Sequence, residues 1–180
     1  KVFCLLVVGG SQGAKIFDNV VKNVIVNLSK KNKIKIIQQT HKSNTDNLKN
    51  VYDEAEIENT IFDFEENLAD LINQSDLCIT RAGASTLAEL SIMNKPFLTI
   101  PLVSAKDNHQ FENANFYQNL GCCWIMSQKD FNEVNLEKFL DHIIMNKSEY
   151  NIKKNNLEKH NFQNSWNDIN QKIMEIINEN

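Results

Sequence analysis

Apolar runs of strand length alternate with stretches of helical period along most of this chain, and no other feature narrows its possible folds as much. Val2–Val8 is a continuous β-rich apolar run, the pattern of a strand buried on both faces. From about Gln12 to Ser29 the apolar residues Ile16, Val20, Val24 and Leu28 recur every four positions and predict a helix with one buried stripe. Ile34–Gln38 reads as a second strand, followed by a polar helix through Leu48 and Val51. Ile57–Phe64 reads as a third strand and Leu68–Ile72 as a short helix. Leu77–Thr80 is a fourth strand and Ser85–Met93 the next helix. Pro96–Pro101 is a fifth strand, with proline at its ends, where a missing N–H is tolerated. Asn108–Leu120 is a helix stopped by Gly121, and Cys122–Met126 a short sixth strand. The remainder is helical, and Phe162, Trp166, Ile169, Ile173 and Ile176 make an amphipathic stripe near its end. The expected fold is α/β: a doubly wound, six-stranded, Rossmann-like parallel sheet in one domain over residues 1–180.

Such a sheet takes ligands outside the carboxyl ends of its strands, at helix N-termini. Two unusual loops fall on that edge. The chain has 5 glycines, and three of them, Gly9, Gly10 and Gly13, crowd into Gly9-Gly10-Ser11-Gln12-Gly13-Ala14 after the first strand. Glycines let the backbone approach an anion while the helix start supplies unpaired amides. The second loop, after the fourth strand, is Thr80-Arg81-Ala82-Gly83-Ala84-Ser85-Thr86-Leu87-Ala88-Glu89, and it holds the chain's single arginine. Helix-start amides with the Ser85 and Thr86 hydroxyls are suited to a diphosphate, and Glu89, a turn further in, to a pair of ribose hydroxyls. A capping box, Thr86-x-x-Glu89, explains those two residues equally well, but not Arg81, Ala82, Gly83 or Ala84. A third element, Asp107-Asn108-His109-Gln110 after the fifth strand, places polar side chains at a helix start on the same edge. Phe64 closes the third strand, either as core or as a ring that stacks on a base.

Rival readings fail on residues. A dinucleotide fingerprint ending at Gly13 needs glycine where Val8 stands and an acid where the second strand ends in Gln38-Gln39. A Walker A loop needs a closing Gly-Lys-Ser/Thr. With 19 Lys+Arg against 23 Asp+Glu, the net charge of -4 argues against nucleic acid as a partner. Lys30, Lys31, Lys33 and Lys35 read as a solvated junction. Cys4, Cys78, Cys122 and Cys123 lie in apolar surroundings without a CxxC pair, as buried reduced thiols of a cytosolic protein would. The longest apolar run is too short to span a bilayer, and an opening directly on a strand suggests a preceding partner domain.

GGSQGA after the first strand, RAGASTLAEL after the fourth and KPFLTIPLVSAKDNHQ into the next helix together resemble the MurG family. These are bacterial N-acetylglucosaminyltransferases of the GT-B fold, glycosyltransferase family 28. The resemblance runs from Lys1 to about Met126, with the three motifs in order. It implies that the chain is the C-terminal, donor-binding half of an inverting transferase that adds GlcNAc from UDP-GlcNAc to lipid I, forming lipid II for peptidoglycan. It implies that Ser11, flanked by Gly10 and Gly13, contacts the donor phosphates, that Phe64 caps the uracil, and that the Glu65 backbone bonds its edge. Arg81 and the segment Ala84, Ser85, Thr86, Leu87, Ala88 and Glu89 would hold the diphosphate and ribose, with His109 and Gln110 on the GlcNAc hydroxyls. Glu65 is acidic where the family also has apolar residues, and His109 stands where it also has Gln. No DxD-type pair is found in the expected place, so no obligate metal or other cofactor is expected. The resemblance further implies a partner N-terminal acceptor domain supplying the base and lipid I, and a cytoplasmic, peripheral location on the inner face of the plasma membrane. The last helix, about residues 160–180, can cross to that other domain in such folds, and this half alone would transfer nothing. Alternatives are the donor subunit of a split GT-B transferase, or a UDP-sugar-binding module without chemistry.

Overall fold

A computed structural model describes residues 2–10, 15–102 and 108–163 of the chain. Six parallel strands form one sheet in the order β3-β2-β1-β4-β5-β6. They are β1 (Phe3–Val8), β2 (Ile34–Gln39), β3 (Glu58–Phe62), β4 (Leu77–Thr80), β5 (Phe97–Thr99) and β6 (Cys123–Ile125). The helices are α1 (Lys15–Ser29), α2 (Thr45–Glu54), α3 (Leu68–Gln74), α4 (Ala84–Ile92), α5 (His109–Asn119), α6 (Glu133–Met145) and α7 (Lys147–Gln163).

The continuous apolar character of β1 follows from its place in the sheet. Leu5 and Val7 face a core shared with Phe17, Val21, Val24, Ile25 and Leu28 of α1 and Leu136 and Leu140 of α6. Cys4, Leu6 and Val8 face the opposite core with Ile72 of α3, Leu87 and Leu90 of α4, and Ala114 of α5. Both faces are covered, so neither can alternate with polar residues. On α1 the deeply buried set is Phe17, Val21, Val24, Ile25 and Leu28. Ile16 and Val20 of the expected stripe are partly buried at its margin, because the helix lies on the sheet over a broader arc than a period of four describes.

Several ends differ from the sequence reading. β3 closes at Phe62, leaving Phe64 in the following loop, and β5 is only Phe97–Thr99. Among the described residues the helical remainder is two helices, broken at Asn146 between α6 and α7. The stripe from Phe162 to Ile176 lies outside the residues whose side chains are described. α7 is pinned to the rest by side-chain amides: Asn161 donates to the Ser91 carbonyl at 2.6 Å, Asn156 to the Gly121 carbonyl at 3.1 Å. Gly121 has φ +69°, which favours glycine at this helix stop, and a Cβ there would displace the Asn156 amide, 2.6 Å away.

All four cysteines are free and buried. Burial pushes the Cys4 thiol up to about 11 and the Cys123 thiol up to about 12, keeping them protonated packing groups. Two lysines of the basic run spend their charge locally: Lys31 on Asp141 at 3.1 Å and Lys35 on Glu58 at 2.7 Å. Among the described residues no helix is long and apolar enough to cross a membrane.

Candidate functional site

The strand order reverses between β1 and β4. Consecutive units wind away from β1 in one direction, through β2 and β3, and away from β4 in the other, through β5 and β6. Loops leaving the carboxyl ends of β1 and β4 therefore diverge to opposite faces and leave a crevice between them. Val8 is in register with Thr80, Thr80 with Thr99 and Thr99 with Ile125, so the loops leave the sheet at one level. Gly9 and Gly10 after β1 and the Arg81–Thr86 stretch after β4 are the described residues that leave the sheet on either side of this reversal.

On the β1 side, Gly10 has φ +74°, a left-handed position that disfavours any side chain. Ser11 and Gly13 lie outside the described residues. On the β4 side, α4 begins at Ala84 with Gly83 as its N-cap, and no side chain caps it. The first intrahelical bond there is from the Leu87 amide to the Gly83 carbonyl at 3.1 Å. The amides of Ala84, Ser85 and Thr86 thus point out of the helix end, where its dipole is positive. A Cβ on Gly83 would meet nothing within 4 Å, so packing inside the chain does not require glycine there. The capping-box reading does not hold, since Thr86 is the third helical residue rather than the cap.

Leu87 is fully buried and offers only its backbone, while Ala84 and Ser85 are exposed and Thr86, Ala88 and Glu89 half-buried. Side chains on a helix lean toward its N-terminus. Glu89, four residues after Ser85, stands on the same side of α4 about one turn from the amide-bearing end.

Arg81 is engaged within the chain. Its Nη1 donates to the Ile100 carbonyl at 2.9 Å and to Gln128 Oε1 at 3.0 Å, and its guanidinium lies 5.1 Å over the Phe17 ring. Burial lowers its pKa from the usual arginine range. One side chain thereby ties the end of β4 to the segment after β5, the loop after β6 and the start of α1.

That segment after β5 leads to α5. Gln110 Oε1 accepts from the Leu102 amide at 2.9 Å, which joins the two ends of the connection. His109 is exposed on the first turn of α5. One turn on, Asn113 donates to the Ala82 carbonyl at 3.0 Å and holds the β4 loop from the other side. Phe64 is 73% exposed on the same edge, a position inconsistent with a core role. Its amide donates to Asp63 Oδ1 at 2.9 Å, and Glu65 Oε1 accepts from the Asn67 amide at 2.9 Å at the entry to α3.

The roles of Gln39, Asn113 and Gln128 leave no signal in the sequence. Each acts on a group 24 to 47 residues away, with no local pattern to betray it. Gln38 and Thr40, on either side of Gln39, bond Asp18 of α1 at 3.1 and 2.6 Å, and Tyr52 donates to Gln38 at 2.7 Å. A buried polar network therefore underlies the glycine-loop flank of the crevice.

A doubly wound parallel sheet whose order reverses between β1 and β4, with a left-handed glycine after one and an uncapped helix start after the other, is a Rossmann-like domain. Residues 4–172 match the family model described as the glycosyltransferase family 28 C-terminal domain, and the chain belongs to that family. It is 52% identical over 176 residues to the UDP-N-acetylglucosamine–N-acetylmuramyl-(pentapeptide) pyrophosphoryl-undecaprenol N-acetylglucosamine transferase of Pelagibacter ubique, covering 98% of the chain and 49% of that protein. The protein of the same name from Rickettsia bellii is 36% identical over 149 residues, covering 81% of the chain and 42% of its own length. Among solved structures, MurG of Acinetobacter baumannii superposes with a TM-score of 0.76 at 25% identity, over 88% of this chain and 46% of that one. The chain spans about half the length of these relatives.

Proposed function

We propose that this chain is the donor-binding half of an inverting glycosyltransferase and holds UDP-N-acetylglucosamine at the carboxyl edge of its sheet. The single observation that carries this reading is the placement, on either side of the switch point, of the left-handed Gly10 and the uncapped start of α4, with Glu89 one turn further along that helix. The relatives named above, called N-acetylglucosamine transferases, supply the choice of sugar.

In this reading the diphosphate lies against the Ala84, Ser85 and Thr86 amides and the glycine turn, Glu89 accepts from the ribose hydroxyls, and Phe64 covers the uracil. His109 and the Gln110 NH2 meet the sugar. When an acceptor hydroxyl attacks the anomeric carbon, charge grows on the departing UDP. Fixed amides stabilise that charge without reorganising, each donor being worth about 3 kcal/mol of barrier. No obligate metal is part of this reading, because the helix end supplies the positive partner. The acceptor, lipid I, and the base that deprotonates it belong to a second domain. The assembled enzyme would work at the inner face of the plasma membrane.

Calorimetry of the chain with UDP-GlcNAc, UDP-glucose, UDP and NAD tests the proposal. UDP-containing ligands are expected to bind with or without a metal chelator, and NAD is not. Glu89→Ala should weaken UDP binding by about 1–3 kcal/mol, the range for unpairing a charged hydrogen-bond acceptor. Abolition of binding by the chelator, or an unaffected Glu89→Ala, would overturn the corresponding part. Adding the acceptor domain in trans should restore transfer to lipid I.

A further inference from the structure

Gln39 stands at the carboxyl end of β2, the strand between β1 and β3. Its side chain reaches both neighbours. The Gly10 amide, after β1, donates to its Oε1 at 3.1 Å, and its Nε2 donates to the Asp63 carbonyl, after β3, at 3.1 Å. The orientation of the amide is determined by these partners. Turned over, it would set donor against donor at Gly10 and acceptor against acceptor at Asp63. Only a side chain with a donor and an acceptor on one planar group can make this pair of bonds.

The two loops it joins carry the two ends of the candidate nucleotide site. Gly10 is the left-handed residue of the turn assigned to the diphosphate. Asp63 is bound twice, its carbonyl by Gln39 and its carboxylate by the Phe64 amide, so the bridge sets where the exposed Phe64 ring begins. Beneath Gln39 the strand itself cannot drift: Gln38 and Thr40 hold Asp18 from the buried side.

We infer that Gln39 is a positioning residue that gauges the distance between the base-stacking aromatic and the diphosphate turn, so that the site selects a base and a diphosphate joined by one ribose. This rests on the donor-site reading above and adds to it a residue that touches no ligand. Two weak subsites held at the right separation bind a linked ligand far more tightly than either piece, and that advantage falls when the separation is no longer held. Removing the bridge should therefore penalise the whole nucleotide and spare its parts.

The experiment compares the native chain with Gln39→Met, which keeps length and loses both bonds, and Gln39→Glu, which keeps the acceptor for Gly10 and loses the donor for Asp63. Binding of UDP, uridine and inorganic pyrophosphate is measured by calorimetry, and exchange of the Gly10 amide by hydrogen–deuterium exchange. Gln39→Met is expected to bind UDP about tenfold more weakly, with uridine and pyrophosphate within about twofold of native. Its Gly10 amide should exchange faster, whereas Gln39→Glu should keep that protection and still lose affinity for UDP. Equal losses for UDP and uridine would mark a structural residue only and overturn the inference. Native-like UDP binding in both variants would overturn it while leaving the donor site standing. If the native chain takes up no UDP, the donor-site reading fails and the gauge fails with it, even where the exchange data show the bridge in place.

Discussion

On the β1–β2–β3 flank of the crevice, loops are tied at the surface by a neutral amide, Gln39, above a buried carboxylate, Asp18. On the β4–β5–β6 flank one half-buried guanidinium, Arg81, does both jobs, binding a carbonyl, an amide side chain and an aromatic face at once. The difference teaches where rigidity resides. On the first flank stability lies in the buried layer and geometry in the surface layer, so the two can be altered separately. On the second flank they share a side chain, so that a substitution of Arg81 alters the site only by also loosening the fold.

The largest expected effect is at Asp18. It is 7% exposed and accepts from Gln38, from Thr40 and, at 2.9 Å, from Asn44. Asp18→Ala strands these donors, and denaturant melts should show a loss of about 3 kcal/mol or more. A loss under about 1 kcal/mol, the value of an ordinary single hydrogen bond, would mean that the buried layer does not carry this flank.

Arg81→Met comes next, with an expected loss of about 2–3 kcal/mol from charged hydrogen bonds and the Phe17 contact together. Arg81→Lys should recover little of it, because a point-like ammonium cannot replace the guanidinium fork. Full recovery by lysine would reduce Arg81 to a bare charge and sharpen the contrast in the opposite sense. The smallest effect on folding is expected at Phe64. Since its ring is 73% exposed, Phe64→Ala should leave the melting transition nearly unchanged. Affinity for UDP should fall by about 1–3 kcal/mol, the usual worth of base–aromatic stacking, as read by calorimetry. A lowered melting temperature with intact UDP affinity would return Phe64 to the core role that the sequence also allowed.

Most of the architecture was legible in residue order. Strand-length apolar runs at Val2–Val8 and Leu77–Thr80 and the helical periods between them are local consequences of burial and side-chain geometry, and each produced an element where expected. Element ends were less legible. Phe64 extends the apolar pattern of β3, yet the ladder with β2 stops at the pairing of Gln39 with Phe62. Thr86 and Glu89 match a capping box, yet α4 starts two residues earlier, at Ala84. The glycine turn and the polar start of α5 stood out because their residue types are rare or clustered. Gln39, Gln128 and Asn113 did not, because a surface glutamine or asparagine looks the same whether or not a distant carbonyl waits for it.

By itself, then, the order of residues determined the class of fold and singled out the candidate edge, since periodicity and glycine placement act over a few residues. Tertiary structure alone decided the strand order that places the β1 and β4 loops on either side of a switch point. It also decided the partners of Arg81 and the bridge through Gln39. These depend on groups that are far apart along the chain and meet only when the sheet has closed, and no short-range rule contains that distance.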